Sequence, residues 1–390
     1  MGGKVFSQPK GDLPALHTPR MSEAVHSHLR DFCIQQLRLC FEDVVAPAEA
    51  PEKANYGDID TLVSKPLPGF SWDEVAGLLK AHRTEKFGES RCFAVPISLN
   101  NNDSDETPYA QVDVHICHPG FIEWECLLDA YGDMWQIVGK FLRPLGLTAT
   151  DKGLHIRIEE IEPKNRAYSK IYLTHNVNDV LDFLGLDLKQ YQEGFDTMDQ
   201  LYRWCSSGKF FHPSAFKFTY ETANDRQRYK KRIMFQTFVD EWLPEHADLW
   251  HGREPMTRET VAEHALIRFD KREEYDKRIS TWRLKIKEEE LWNEISTALS
   301  EEYSGDIALI LRGFKRWVQF TTEEVNNSDQ LPNPSFRETA EMEVDRQPRW
   351  ASQISSENSK AHVFNWVRQV WPQVQTLEKE RIKAAKAARS

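Results

Sequence analysis

Cysteine is sparse and unpatterned in this chain. Cys33, Cys40, Cys92, Cys117, Cys126 and Cys205 are its six, and no C-x-x-C pair occurs among them. That spacing excludes a disulfide framework and suits a reducing compartment. Long apolar runs are missing too, so no transmembrane helix is expected, and no secretory h-region is found. Positive charge is in deficit: the formal net charge is −11, which excludes a bulk polyanion binder and leaves any nucleic-acid contact to a local basic patch. No internal repeat or low-complexity tract occurs. The 390 residues include 12 Trp and 21 Phe, and 40% are hydrophobic, enough for two or three domains with real cores. An intracellular protein, cytoplasmic or nuclear and without a membrane partner, is the expectation; the sequence leaves its oligomeric state open.

Three carboxylates stand out. Gly57-Asp58-Ile59-Asp60 runs into Thr61-Leu62-Val63, and Asp113 sits inside Ala110-Gln111-Val112-Asp113-Val114-His115-Ile116. Residues two apart on a strand share a face. Asp58 and Asp60 are therefore expected side by side, with Ile59 and Leu62 turned the other way. Gln111, Asp113 and His115 share one face of the second segment, with Val112, Val114 and Ile116 on the other. If the strands are neighbours, the three carboxylates converge. Like charges that close call for a cation, and hard divalent ions such as Mg²⁺ or Mn²⁺ take oxygen ligands beside substrate phosphates. Two such ions can clamp the attacking and leaving oxygens of a displacement at phosphorus.

With Asp-x-Asp at Asp58 and Asp60 and a third carboxylate at Asp113, the chain resembles the polymerase-β-like nucleotidyltransferase superfamily over roughly residues 22–160. The order of elements agrees: a helix over Ser22 to Phe41, a short helix over Trp72 to Lys80, then a hairpin of Cys92 to Leu99 and Tyr109 to Cys117. The resemblance implies an α+β fold, a nucleotidyltransferase-like mixed sheet flanked by helices, followed here by a mostly helical C-terminal half. It also implies transfer of a nucleotidyl group from a nucleoside triphosphate to an acceptor hydroxyl, RNA being one acceptor. Asp58 and Asp60 would hold the ions that bind the triphosphate, and Asp113 would complete the acceptor side. One departure stands against this. Ala48-Glu49 occupies the place of the family's Gly-Ser turn, where Cβ limits close backbone approach and Glu49 carries the wrong charge for a phosphate. Either phosphate binding is rebuilt, with Lys53 and Gly57 as cofactor-binding residues, or the chain is an inactive module that binds RNA, nucleotide or a protein.

The remaining pattern divides the chain into a flexible tail (1–20), the nucleotidyltransferase-like domain (21–175) and a mostly helical domain (176–390) with a loop near 325–348. Ile122 to Leu142 reads as one helix. Leu154 to Ile158 and Lys170 to Thr174 read as strands able to extend the aspartate sheet. Asp179 to Leu184 reads as helical, capped by Asn178 or Thr174 and stopped at Gly185. Asn224 to Trp242 reads as a long basic helix in which Arg226, Arg228, Lys230, Lys231 and Arg232 form either a nucleic-acid patch facing the aspartates or a solvated face. Phe210, Phe211, Phe216, Phe218 and Tyr220 either stack on bases or pack an interface. His115 is placed at the edge of the site. A zinc site at His115, Cys117 and His118 would want a four-ligand set, and none is apparent. Lys152, Asp103, Asp105 and Glu106 read as solvated turn residues.

Overall fold

The computed structural model describes residues 3–88, 90–98, 107–217, 229–320, 331–340, 350–354 and 356–388. The chain divides into two compact units, Met1–Arg272 and Glu273–Ser390, whereas the sequence reading placed a boundary near 175. The α+β class holds: a five-stranded mixed sheet with helices, then a mostly helical C-terminal part.

In the first unit, helix α1 (Glu23–Leu37) starts where the Ser22 hydroxyl accepts the Val25 N–H. Strand β1 (Phe41–Val45) follows, then β2 (Asp58–Pro66), α2 (Trp72–Leu78), β3 (Arg83–Phe87), β4 (Ser90–Pro96) and β5 (Tyr109–Ile116). The sheet order is β1-β2-β5-β4-β3; β2 and β5 run parallel and the other pairs antiparallel. Strands β1 and β3 have no counterpart in the sequence reading. Both are short edge strands without clean alternation: β1 places Glu42 and Asp43 side by side and then Val44 and Val45, and β3 is polar up to Phe87.

Alternation gives this sheet two unlike faces. Ile59 and Val63 of β2, Phe93 and Val95 of β4, and Val112 and Val114 of β5 pack with Leu29, Cys33 and Leu37 of α1 and Val75 of α2. Each large apolar side chain buried there stabilises the fold by roughly 1.5–3 kcal/mol. The other face carries the aspartates. Leu62, expected opposite them, shares their alternation: it pairs with His115 across β2 and β5 and is buried on that side.

Residues 3–20, expected as a flexible tail, are docked. Phe6 is fully buried with Cys92, Ala94 and Tyr109. Leu16 N–H donates to the Phe6 carbonyl, Tyr109 N–H donates to the His17 carbonyl, and Met21 bridges Tyr56. Gly3, at φ +82°, lies so close to Gly57 that an added Cβ would stand 2.2 Å from the Gly57 carbonyl oxygen.

The single helix expected over Ile122 to Leu142 is two, α3 (Ile122–Asp129) and α4 (Met134–Leu142). Tyr131 and Gly132 between them are left-handed, at φ 55° and 65°, which no continuous helix allows. The strands expected to extend the aspartate sheet form a separate three-stranded sheet instead: β6 (Leu147–Thr150), β7 (Gly153–Arg157) and β8 (Lys170–Thr174), in that order. Helices α5 (Val177–Leu184), α6 (Leu188–Glu193) and α7 (Met198–Ser207) follow. The cap of α5 is Asn176, whose side chain accepts the Asp179 N–H, and Gly185 ends the helix at φ 70°.

The second unit has its own core. Leu291, Trp292, Ile295 and Leu299 meet Ile310, Phe314, Val363, Val367 and Val374. They lie on the helices Arg272–Glu302, Ile307–Trp317 and Glu357–Ala387, the first two separated around Ser304 and Gly305. Gly313 allows two of these helices to touch: a Cβ there would lie 2.5 Å from Val374 Cγ1. The last helix runs on through Pro372. The loop expected near 325–348 falls mostly outside the described residues. Pro334–Phe336 within it pairs with Val318–Phe320.

Candidate metal centre

The parallel register of β2 and β5 sets Asp60 directly opposite Asp113 and Asp58 opposite Gln111. Carboxylate oxygens of Asp58, Asp60 and Asp113 lie within 4.8 Å of one another. Asp113 is held in place: Gln111 Nε2 donates to its Oδ1 and Oδ2 at 3.1 and 2.8 Å, and Cys92, its partner across β4 and β5, adds a hydrogen bond. Gln111 is itself fixed, because its Oε1 accepts the Val5 N–H at 3.0 Å. Thr61 Oγ1 donates to the Asp113 carbonyl at 2.9 Å and ties the two strands at this level.

The electrostatics follow from the crowding. Asp60 presents surface to solvent, yet the protein packed around it strips away much of its hydration. That desolvation comes first, and the charges of Asp58, Asp113, Glu49 and Asp129 add to it, raising the Asp60 carboxyl to about 7. Asp113 is also raised, chiefly by desolvation, with the Cys92 and Gln111 hydrogen bonds pulling the other way. The buried Cys92 thiol is pushed up to about 12 by desolvation and by its contact with Asp113.

The loop before β2 is not a phosphate cradle of the Gly-Ser kind. Its Ala48 carbonyl accepts the Tyr131 N–H at 2.6 Å. Glu49 accepts from Lys53 Nζ at 2.5 Å and stands 3.4 Å from His26 Nε2. Lys53 also lies over the Tyr56 ring, and His26 stacks on the same ring. These residues line a cleft of about 330 Å³ together with Arg30 and Ser27. Burial lowers the His26 pKa, opposed by Glu49. Gly57 is buried under Gly3.

The other expected sites are dispersed. Arg226 and Arg228 fall outside the described residues, as do Phe218, Tyr220, Asp103, Asp105 and Glu106. Lys230 and Lys231 are exposed, while Arg232 Nη1 pairs with Asp133 Oδ1 at 3.1 Å, just before α4. The long basic helix is not continuous: Lys231 and Arg232 are non-helical, and Ile233–Thr237 starts anew. Phe210, Phe211 and Phe216 are buried against Phe183, Phe238 and Trp250, so they build core and not a stacking platform. Lys152 is an exposed turn residue.

His115 lies on the aspartate face, as expected, beside two residues the sequence reading missed. Its Nε2 stands 3.0 Å from Glu125 Oε2 on α3, and Asp129, one helical turn later, also interacts with it. Spacing alone offered no signal for either acid, since α3 packs on this face only through the tertiary fold. Compared with known proteins, the chain matches no family model and no curated protein.

Proposed function

We propose that the first unit is a metal-dependent nucleotidyltransferase that moves a nucleotidyl group from a nucleoside triphosphate to an acceptor hydroxyl. The observation that carries the reading is the pairing of Asp60 with Asp113 across two parallel strands, with Asp58 two residues away on the same face. The donor set fits Mg²⁺ or Mn²⁺: every ligand is a carboxylate oxygen, and Asp60 is raised by desolvation and by the neighbouring charges of Asp58 and Asp113. When bound, such ions neutralise phosphate oxygens and align the attacking and leaving oxygens. Asp58 and Asp60 would hold the triphosphate side and Asp113 the acceptor side. Gln111 and Cys92 keep the Asp113 carboxylate aimed, so its position does not depend on a ligand.

Glu49 favours a second reading, a nucleotidyltransferase-like module that binds without turnover. Its charge acts on Asp60 where the family resemblance calls for a phosphate-binding turn. Pyrophosphate release decides between them. The full chain, given each nucleoside triphosphate with Mg²⁺ and a mixed RNA acceptor, releases pyrophosphate under the first reading and Asp60→Asn does not. Triphosphate binding without release, strengthened by Glu49→Ser, supports the second. Absence of release refutes the first reading, and absence of triphosphate binding as well removes nucleotide as the ligand of the second.

A further inference from the structure

The aspartate face continues past the triad into a chemically different cluster. Along β5 and one residue beyond it, Gln111, Asp113, His115 and Cys117 alternate on one side. The Cys117 N–H is anchored to the Val63 carbonyl at 2.9 Å, so the strand-like course persists to Cys117. There α3 supplies Glu125. One donor atom each from His115, Cys117 and Glu125 lies within 4.8 Å of the others. These are a nitrogen, a sulfur and an oxygen, where the triad offers oxygen alone. Imidazole and thiolate select borderline ions of the zinc type over Mg²⁺.

We propose that His115, Cys117 and Glu125 form a second metal site, for Zn²⁺ or a similar borderline divalent cation, that clamps α3 to the end of β5. The supports of a metal site are in place. Ser90 Oγ is 3.1 Å from His115 Nδ1, which leaves Nε2 directed at Glu125, 3.0 Å away. A hydrogen bond to the ring nitrogen that does not ligate is the usual way a ligand histidine is oriented. Glu125 Oε1 accepts the His118 N–H at 3.1 Å, so Oε2 is the oxygen turned to the cluster. Cys117 and Glu125 are 3 and 6% exposed, while the His115 side chain is 34% exposed. The ion would therefore enter past the imidazole, with a water as fourth ligand on that side. Tetrahedral zinc spaces such ligands about 3.5 Å apart, so small side-chain adjustments suffice. The site does not depend on the nucleotidyltransferase reading.

The test is cobalt substitution in the full chain, purified without chelator. With millimolar Mg²⁺ present to occupy the aspartate triad, addition of CoCl₂ should give one equivalent of bound Co²⁺ with a thiolate-to-metal charge-transfer band. ZnCl₂ should bleach the band, and millimolar Mg²⁺ should not. Cys117→Ser should lose the band, and His115→Ala, at a half-exposed position where folding is retained, should lose the bound ion. Ser90→Ala should weaken binding by about 10-fold or more through the misdirected imidazole. Asp60→Asn, which changes the separate triad, should keep the charge-transfer band. A folded wild type that takes up no Co²⁺ would leave only a hydrogen-bonded network and overturn the proposal. So would a band that survives Cys117→Ser, or an ion lost in Asp60→Asn but kept in His115→Ala.

Discussion

Replacing Asp60 by asparagine removes one of three crowded charges while keeping nearly the same shape. The carboxyl moves from an ordinary 3.8 to about 7 on folding. At about 1.36 kcal/mol per unit, a shift of roughly three units sets a ceiling of about 4 kcal/mol. Asp60 is open to solvent, and screening reduces that to about 1–2 kcal/mol. The sign follows from proton uptake. Between pH 4 and 7 the folded state holds a proton that the unfolded state has released, so this group makes stability fall as pH rises. Below pH 4 both states are protonated and the penalty vanishes; above 7 it is fully present. In EDTA at pH 8, Asp60→Asn should therefore melt about 2–6 °C higher than the wild type, and the two should converge towards pH 4. If the triad binds Mg²⁺, the ion should reverse the ranking. At 100 times its dissociation constant it adds about 2.7 kcal/mol to whichever protein binds it, and the variant should gain little. Thermal melts from pH 4 to 8, with EDTA or Mg²⁺, read both effects. A variant less stable than the wild type in EDTA at pH 8 would refute the charge-crowding argument, and one that gains equally from Mg²⁺ would refute metal binding through Asp60.

Gly313→Ala should destabilise the second unit by about 1–3 kcal/mol, because its Cβ meets Val374 at 2.5 Å; urea unfolding followed by Trp fluorescence measures it. Phe6→Ala should cost about 3 kcal/mol and expose Cys92, which pairs with Phe6 in one cluster, to thiol reagents; an unchanged labelling rate would mean the segment does not cover it. Changing the exposed Lys230 and Lys231 together to alanine should leave stability within about 0.5 kcal/mol. If RNA is the acceptor and both lysines touch phosphates, the same change lowers the salt slope of its binding by about 1.4; an unchanged slope removes these lysines from the interface.

What the sequence disclosed was local. The facing of Asp58, Asp60 and Asp113 needs only the period of a strand, and the β4–β5 hairpin needs only two apolar alternations. Register was not legible, and with it went Cys92, which reaches Asp113 only through cross-strand pairing. The split of α3 from α4 was hidden because Tyr131 and Trp135 keep a helical spacing through the break, although Gly132 offered a hint. Glu125 reads as an ordinary first-turn acid until α3 is laid against β5. The docking of residues 3–20 was missed because a segment without periodicity pairs with whatever surface the finished fold presents.

That docking bears on the order of events during synthesis. Val5 and Phe6 leave the ribosome roughly a hundred residues before Gln111 and Tyr109, their partners on β5. No earlier element completes their surface, so the segment waits while β1 to β4 emerge and contacts of long sequence separation close last. The Val5–Gln111–Asp113 relay therefore forms only when the sheet is finished. A bulky group attached just ahead of Gly3 would act at that late step, leaving the sheet assembled but Gln111 without the donor that fixes it.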